Sequence, residues 1–217
     1  FLETYFQKKP VLIRHAFPDI ETRIDMRKPD YIDLCTDDDV EARLFEHKQN
    51  KITKTYGPFT STFIESVFST TTWSLLFQEL DRHIPAVADL WSEGFSFMPN
   101  WRKDDIMLSL SSPGGSIGGH VDNYDVFLLQ GSGARQWSIE NHFLSEQEER
   151  HRQVRGSPTR LLRDFQAHSS WLLHPGDMLY LPPRIPHQGV TVGESLGTTL
   201  SFGLRAPNYR DLSAALL

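Results

Sequence analysis

Residues 106–139 read IMLSLSSPGGSIGGHVDNYDVFLLQGSGARQWSI, and the way this stretch is punctuated decides the fold. IMLSLSS alternates: Ile106, Leu108 and Leu110 fall on one side of an extended chain, with Met107, Ser109 and Ser111 on the other. VFLLQ (126–130) and RQWSI (135–139) are two more short strand-like runs, set apart by Gly, Pro, Ser and Asn. Toward the C-terminus SWLLH (170–174), DMLYLP (177–182) and TTLSFGL (198–204) repeat the pattern. Many short, punctuated strands predict a mainly β double-sheet jelly roll or small barrel with a ligand in its mouth.

Toward the N-terminus the signal turns more helical. FLETYFQKKPVLIRHAF (1–17) opens helix-like and passes through Lys9-Pro10 into a strand at Val11–Arg14. DYIDLCTDDDVEARLFEH (30–47) mixes helix and strand signals, with Asp37 to Asp39 as turn or cap residues. Apolar residues at Trp73, Leu76, Leu80, Ile84, Val87 and Trp91 recur near a 3.6-residue period, which predicts helix. Pro85 divides it into two helices or a kinked one, with the proline in the first turn of the second. These aromatics read as core.

Within the quoted stretch, His120 and Asp122 sit two residues apart, so on extended backbone both point to one side and can reach one ion. His187 follows the run Met178–Leu181 and a Pro-rich turn (PPRIP, 182–186) that can bring it alongside. Two imidazoles and one carboxylate with open positions is the donor set of non-haem Fe(II) oxygenases. Nine His and 28 acidic residues in 217 positions make about one His-x-Asp/Glu expected by chance, so spacing alone says little. The weight comes from the Gly-rich approach, the strand that follows and the third ligand on a second strand-turn unit.

Composition bounds the alternatives. A length of 217 residues fits one domain, and 39% hydrophobic with 23% charged residues suffices for a globular core. No apolar run is long enough to span a membrane. The net charge of −6 argues against general nucleic-acid binding, which needs a concentrated basic face. One basic segment, Arg150 to Arg163 (RHRQVRGSPTRLLR), stands out and reads as a solvated loop, with a binding patch as the alternative. The single Cys35 excludes an internal disulfide and points to a reducing compartment. The chain opens on Phe1 rather than Met, as a fragment would.

DDIMLSLSSPGGSIGGHVDNYDVFLLQGSGARQW (104–137), LHPGDMLYLPPRIPHQG (173–189) and LSFGLRAPNYRDL (200–212) closely resemble the JmjC-type ribosomal oxygenases of the cupin superfamily. The likeness is strongest to the bacterial branch that hydroxylates an arginine of large-subunit ribosomal protein sixteen. KKPVLIR (8–14), YGPF (56–59) and WSLL (73–76) extend it through the first half. The resemblance implies a double-stranded β-helix that holds Fe(II) through His120, Asp122 and His187 and uses 2-oxoglutarate and oxygen. It implies one JmjC catalytic domain over 1–217: a helix-rich part at 1–105 and a jelly-roll core at 106–205. It implies further that the dimerising helical region and winged-helix-like domain of the family lie outside this chain. A homodimer is then expected of the full-length protein, in the cytoplasm, with a ribosomal protein as substrate and no direct contact to nucleic acid or membrane.

The far carboxylate of a 2-oxo diacid needs a cation inside the barrel, and Arg is its best geometric partner. By resemblance Arg135 does this, with Arg205 as the competing candidate. Thr199 and Ser201 offer hydroxyls to the cosubstrate, depending on strand register. By resemblance again, Asp105 and Tyr124 hold a substrate arginine and Met107 forms a wall; a carboxylate accepts guanidinium hydrogen bonds and an aromatic face stacks on it. Asp104 is the neighbouring carboxylate, and Asn123 and Asp125 read as stabilising the loop. The alternatives are a related oxygenase that hydroxylates His or Asn or demethylates Lys, and a cupin that only binds a ligand.

Overall fold

Runs such as VFLL and MLYL are apolar at successive positions, and a strand of that kind must be covered on both faces. The computed structural model, which describes residues 1–26, 28–48, 51–70, 72–157, 160–205 and 213, shows how this is done. The first strands are β1 (Val11–Ile13), β2 (Ala42–Lys48), β3 (Lys51–Tyr56), β4 (Trp73–Phe77) and β5 (Lys103–Ser111). They are followed by β6 (Asp125–Ser132), β7 (Ala134–Ile139), β8 (Ser169–Leu173), β9 (Met178–Leu181), β10 (His187–Val192) and β11 (Gly197–Leu204). Eight of them form one sheet in the order β1-β9-β6-β11-β5-β4-β2-β3, and three form a second in the order β10-β7-β8. Neighbours in both sheets are antiparallel.

One face of the larger sheet meets the helices α1 (Ile20–Arg23), α2 (Lys28–Thr36), α3 (Ser61–Phe68) and α4 (Pro85–Gly94). Ile106, Leu108, Leu110, Phe127, Leu129 and Phe202 pack there with Ile20, Ile64 and Leu90 in one apolar cluster. The other face looks at the smaller sheet, where Val126 and Leu128 pack against Trp137, Ile139 and Leu173. Adjacent residues of β6 thus serve two cores, which is why VFLL carries no alternation. β5 alternates because only its Ile106 side is apolar core; Met107 and Ser109 line a cavity between the sheets.

The expected strands at 126–130, 135–139, 170–174, 177–182 and 198–204 are all present within a residue or two of their predicted ends. The helix expected from Trp73 is not. Residues 73–77 form β4, hydrogen-bonded between β2 and β5 with all five residues buried, and a 3-10 turn follows at Leu80–Arg82. A strand buried on both faces lacks two-residue periodicity and matches a helical template by accident. The second predicted helix is α4, with Pro85 in its first turn. Residues 2–8 form turns rather than a helix, and β1 ends at Ile13. The mixed signal of residues 30–47 resolves into α2 and then β2, divided by a turn in which Asp39 N donates to Asp37 Oδ1 at 2.9 Å. Residues 1–105 supply four strands of the larger sheet besides their helices.

The turn before β9 fixes β1 to the sheet. Asp177, nearly fully buried, accepts hydrogen bonds from His15 N (3.1 Å), His174 N (3.0 Å) and Arg14 Nη1 (2.5 Å). Burial alone would raise its carboxyl, but these donors hold it below the ordinary carboxylate value. A depressed carboxylate stabilises the fold fully above its unfolded pKa of about 4, and that contribution is lost as pH falls through the folded value. Asp177→Asn should therefore cost about 2–3 kcal/mol at neutral pH. In urea unfolding from pH 7 downward, the gap between wild type and variant should close only below about pH 4.

Candidate functional site

The site lies between the two sheets and is assembled by the loop that joins β5 to β6. This loop is stitched to β10 at two places. Gly114 N donates to Thr191 O (2.9 Å) and Thr191 N to Gly115 O (3.1 Å); farther on, His120 N donates to His187 O (3.0 Å) and His187 N to His120 O (2.9 Å). His120 is an isolated bridge and residues 121–124 lie outside any strand, so the triad needs less extended backbone than its spacing suggested.

His120, Asp122 and His187 present donor atoms within 4.8 Å of one another. The imidazole rings lie 4.3 Å apart, and His187 Nε2 is 3.5 Å from Asp122 Oδ2. Each Nδ1 faces a backbone oxygen, His120 to Gly118 O at 3.0 Å and His187 to Ile185 O at 2.9 Å. Only a protonated Nδ1 can donate to a carbonyl, so each Nε2 keeps its lone pair for a metal. Burial pushes the His120 imidazole down to about 4, and the neighbouring His187 adds to this. Burial would raise the Asp122 carboxyl, but the two imidazoles beside it hold it below its ordinary value. A neutral His120 beside an ionised Asp122 is the protonation state that metal binding requires.

The cavity around the triad has a volume of about 690 Å³. Arg135, on β7, enters it with 3% of its surface exposed. Its Nη1 donates to Ser109 Oγ (3.1 Å) and more weakly to Ser111 Oγ (3.5 Å), and its Nη2 to Gly189 O (3.4 Å). Nε has no partner and, among the described residues, no carboxylate pairs with this guanidinium. Burial lowers it to about 10, so it is still a cation at neutral pH. A buried, unpaired cation is costly, and an anion in the cavity would relieve it. Arg205 instead pairs with Asp104 (Nε–Oδ2 2.8 Å), keeps 62% side-chain exposure and stacks over Tyr124 at 5.4 Å.

Thr199 and Ser201 both line the cavity, as residues two apart on β11 must. The Thr199 hydroxyl donates to Gln130 Oε1 at 3.1 Å. Asp105, Met107 and Tyr124 line the same space. Asp105 is part of β5 rather than a turn before it, and its Oδ2 accepts from Gln78 Nε2 (2.6 Å) and Glu79 N (3.4 Å). Burial raises its carboxyl above the ordinary value. Asn123 does hold the loop, through Arg184 Nη1 at 2.6 Å. Asp125 acts elsewhere: buried on β6, it receives hydrogen bonds from Tyr180 Oη, Gln7 Nε2 and Arg102 Nη2 and so pins residues 1–9.

Beyond its first residues the basic segment is an exposed loop, as its charges suggested, but a tethered one. Its start lies in α5 (Glu146–Arg152), capped by Ser145 and Glu148, and Gln153 then bridges to Leu162. Leu162 N donates to Gly119 O at 2.8 Å. A Cβ on Gly118 would lie 2.3 Å from Leu161, and one on Gly119 2.7 Å from Phe165, so the Gly-rich approach to His120 exists to admit this segment. Pro158 and Thr159 within it, and residues 206–212 at the end of the family likeness, lie outside the described residues. Sequence reasoning also missed Arg184, whose positive φ (70°) sets its backbone N on Asp122 O at 2.8 Å while its side chain reaches Glu149. Its place in PPRIP, between prolines before a ligand, was the available signal.

Two antiparallel sheets closing on two imidazoles and a carboxylate define a metal-binding cupin-type fold. Residues 90–212 match the JmjC domain family, and the chain belongs to it. Over 98% of its length it is 38% identical to the ribosomal protein uL16 3-hydroxylase of Escherichia coli (strain K12), covering 53% of that protein. It is equally identical to a probable ribosomal oxygenase of Haemophilus influenzae, of which it covers 50%. The chain thus spans about half the length of the curated relatives it matches. Among solved structures, E. coli ycfD superposes with a TM-score of 0.83 at 34% identity, over 99% of this chain and 54% of that one. The same ribosomal oxygenase in complex with cobalt and 2-oxoglutarate gives 0.81 at 33%, over 99% and 53%. None of the helices among the described residues is long and apolar enough to cross a membrane.

Gly189 offers a direct test of the cavity wall. A Cβ there would meet Arg135 Nε at 2.5 Å and the Trp137 ring at 2.8 Å. Gly189→Ala should cost about 1–3 kcal/mol through overpacking and change the near-ultraviolet circular dichroism of the tryptophans. Urea unfolding and the dichroism spectrum check both.

Proposed function

We propose that this chain is the catalytic part of an Fe(II)- and 2-oxoglutarate-dependent hydroxylase that acts on an arginine side chain of large-subunit ribosomal protein sixteen (uL16). The observation that carries the reading is the buried Arg135, unpaired and facing the same cavity as the His-Asp-His donor set. A metal held by His120, Asp122 and His187 and a diacid anchored by Arg135 would complete the valences this cavity leaves open. The two groups together supply oxidative chemistry at an unactivated carbon. The chain's own work is to hold, orient and exclude water. Arg135 fixes the far carboxylate, the Thr199 and Ser201 hydroxyls stand beside it, and Met107, Val126 and Trp137 keep the space apolar.

The substrate end of the cavity favours arginine over the imidazole, amide or methylated lysine that related oxygenases take. Asp105 keeps one carboxylate oxygen for a guanidinium while Gln78 and Glu79 hold the other. Tyr124 carries the Arg205 guanidinium on its ring, which supports reading its face as one that takes a guanidinium. Residues 1–217 act as a single catalytic domain in this reading, and the full-length protein is a cytoplasmic homodimer. A cupin that only stores a ligand has no use for Asp105 and Arg135 together in one cavity.

The test is anaerobic loading with Fe(II) and 2-oxoglutarate, then oxygen with a peptide carrying the arginine loop of the ribosomal protein. Mass spectrometry should find one added oxygen on arginine, absent with His187→Ala. Asp105→Asn should lower kcat/KM for the peptide roughly ten- to hundredfold, the worth of one charge-assisted hydrogen bond. Succinate formed without peptide oxidation would retain the oxygenase and discard the substrate.

A further inference from the structure

The cavity has acidic groups on its floor and basic groups at its mouth. Asp105 and Asp122 are the carboxylates among its lining residues. The same lining includes Arg43 and Lys54 from the β2–β3 hairpin, Arg150, Arg155 and Arg160 from the basic segment, and Arg205. The side chains of Arg150, Arg160 and Arg205 are each more than 60% exposed, which puts them at the opening. A chain with a net charge of −6 thus concentrates six cations around one entrance.

These cations are available. Arg43 lies by Glu41, Arg150 by Glu146 and Arg160 by Glu149, at 2.5, 3.5 and 3.8 Å. The Arg150–Glu146 pair, exposed on both sides, contributes at most about 1 kcal/mol and exchanges readily for a better partner, and the Arg160 contact is long. Among the described residues Arg155 and Lys54 have no carboxylate partner. On the hairpin Arg43 stands directly opposite Tyr56, and Lys54, two residues before Tyr56, shares its face. Tyr56 is 56% exposed, and the Lys54 ammonium lies 4.7 Å from its ring centre. The mouth therefore combines cations from two separate elements, and an unburied aromatic face stands next to the hairpin cations, just outside the cavity lining.

Such a ring repels the arginine that the floor is shaped to receive. Its charge is explained if the target arrives beside an anion that engages the mouth while the side chain passes through. We propose that the mouth is a phosphate-binding collar for single-stranded RNA carried with the protein substrate. The choice of RNA rests on the ribosomal-protein reading, since such a protein presents its arginines next to RNA phosphates. Guanidinium forks match phosphate geometry, and an exposed tyrosine among cations is a base-stacking platform. The overall negative charge does not oppose this, because screening confines each charge's influence to about 8–10 Å.

Fluorescence anisotropy with a labelled oligouridylate and the purified protein, at rising salt, tests the collar without any turnover. With four phosphates neutralised, affinity should drop roughly fiftyfold between about 50 and 200 mM salt. Reversing Arg155 and Arg160 together to Glu, or Arg43 and Lys54 together to Glu, should each weaken binding roughly tenfold or more. Tyr56→Ala should weaken it while leaving the salt slope unchanged. Thermal melts of each variant confirm that it is folded. No saturable binding at low salt overturns the collar, as does equal affinity in both folded reversal variants. Competition by oligoglutamate as strong as by unlabelled RNA overturns the choice of RNA and makes the partner an acidic protein segment. Peptide hydroxylation on the same preparations is a separate readout, so loss of one reading leaves the other standing.

Discussion

Two backbone hydrogen bonds between His120 and His187 hold the halves of the site together. They join the loop leaving the larger sheet to the first residue of β10 in the smaller one. With the second stitch at Thr191, they fix the loop along the length of β10. The imidazoles are then placed by main chain rather than by side-chain packing, and the Nδ1 contacts to Gly118 O and Ile185 O fix their tautomers from the same backbone. A site of this kind needs rigid sheets behind it. The large two-faced core supplies them.

The interior of the cavity is electrostatically expensive. Arg135 is almost fully buried with neutral partners only, and Asp105 is desolvated enough to raise its pKa. Neither arrangement stabilises the folded chain. Groups so placed would be accounted for by a bound ligand, and the two line one cavity from different sheets together with the metal-ligating candidates. Ser109 and Ser111 soften the cost by offering Arg135 hydroxyls that a diacid can supplement without displacing.

The strands from β5 onward, β10 excepted, were legible because their punctuation is strong and the alternation of Ile106–Ser111 reflects a real difference between core and cavity. The serines on its polar side were visible as such, yet nothing in the sequence said that they face Arg135, since that contact joins β5 to β7 across two sheets. β4 was misread because burial on both faces erases the two-residue period. The triad was legible from donor chemistry and its setting, whereas the role of Gly118 and Gly119 was not, because it depends on Leu161 and Phe165 more than forty residues later. The basic segment was legible as a solvated stretch, but its position at the cavity was not, because its charge pattern describes any exposed surface equally well. Only the bridge to Leu162 and the bond to Gly119 turn it toward the cavity.

β10 places His187 and Gly189 on the same face, and the Arg135 guanidinium reaches Gly189 O. Two residues of strand advance about 6.6 Å. The backbone repeat thus serves as a gauge between the ion-binding end and the guanidinium, independent of side-chain flexibility. If the proposed diacid bridges the two, one methylene too few would leave the guanidinium unsatisfied and one too many would crowd Ser109. In that reading, chain length in the small molecule would be measured against the pitch of a β-strand.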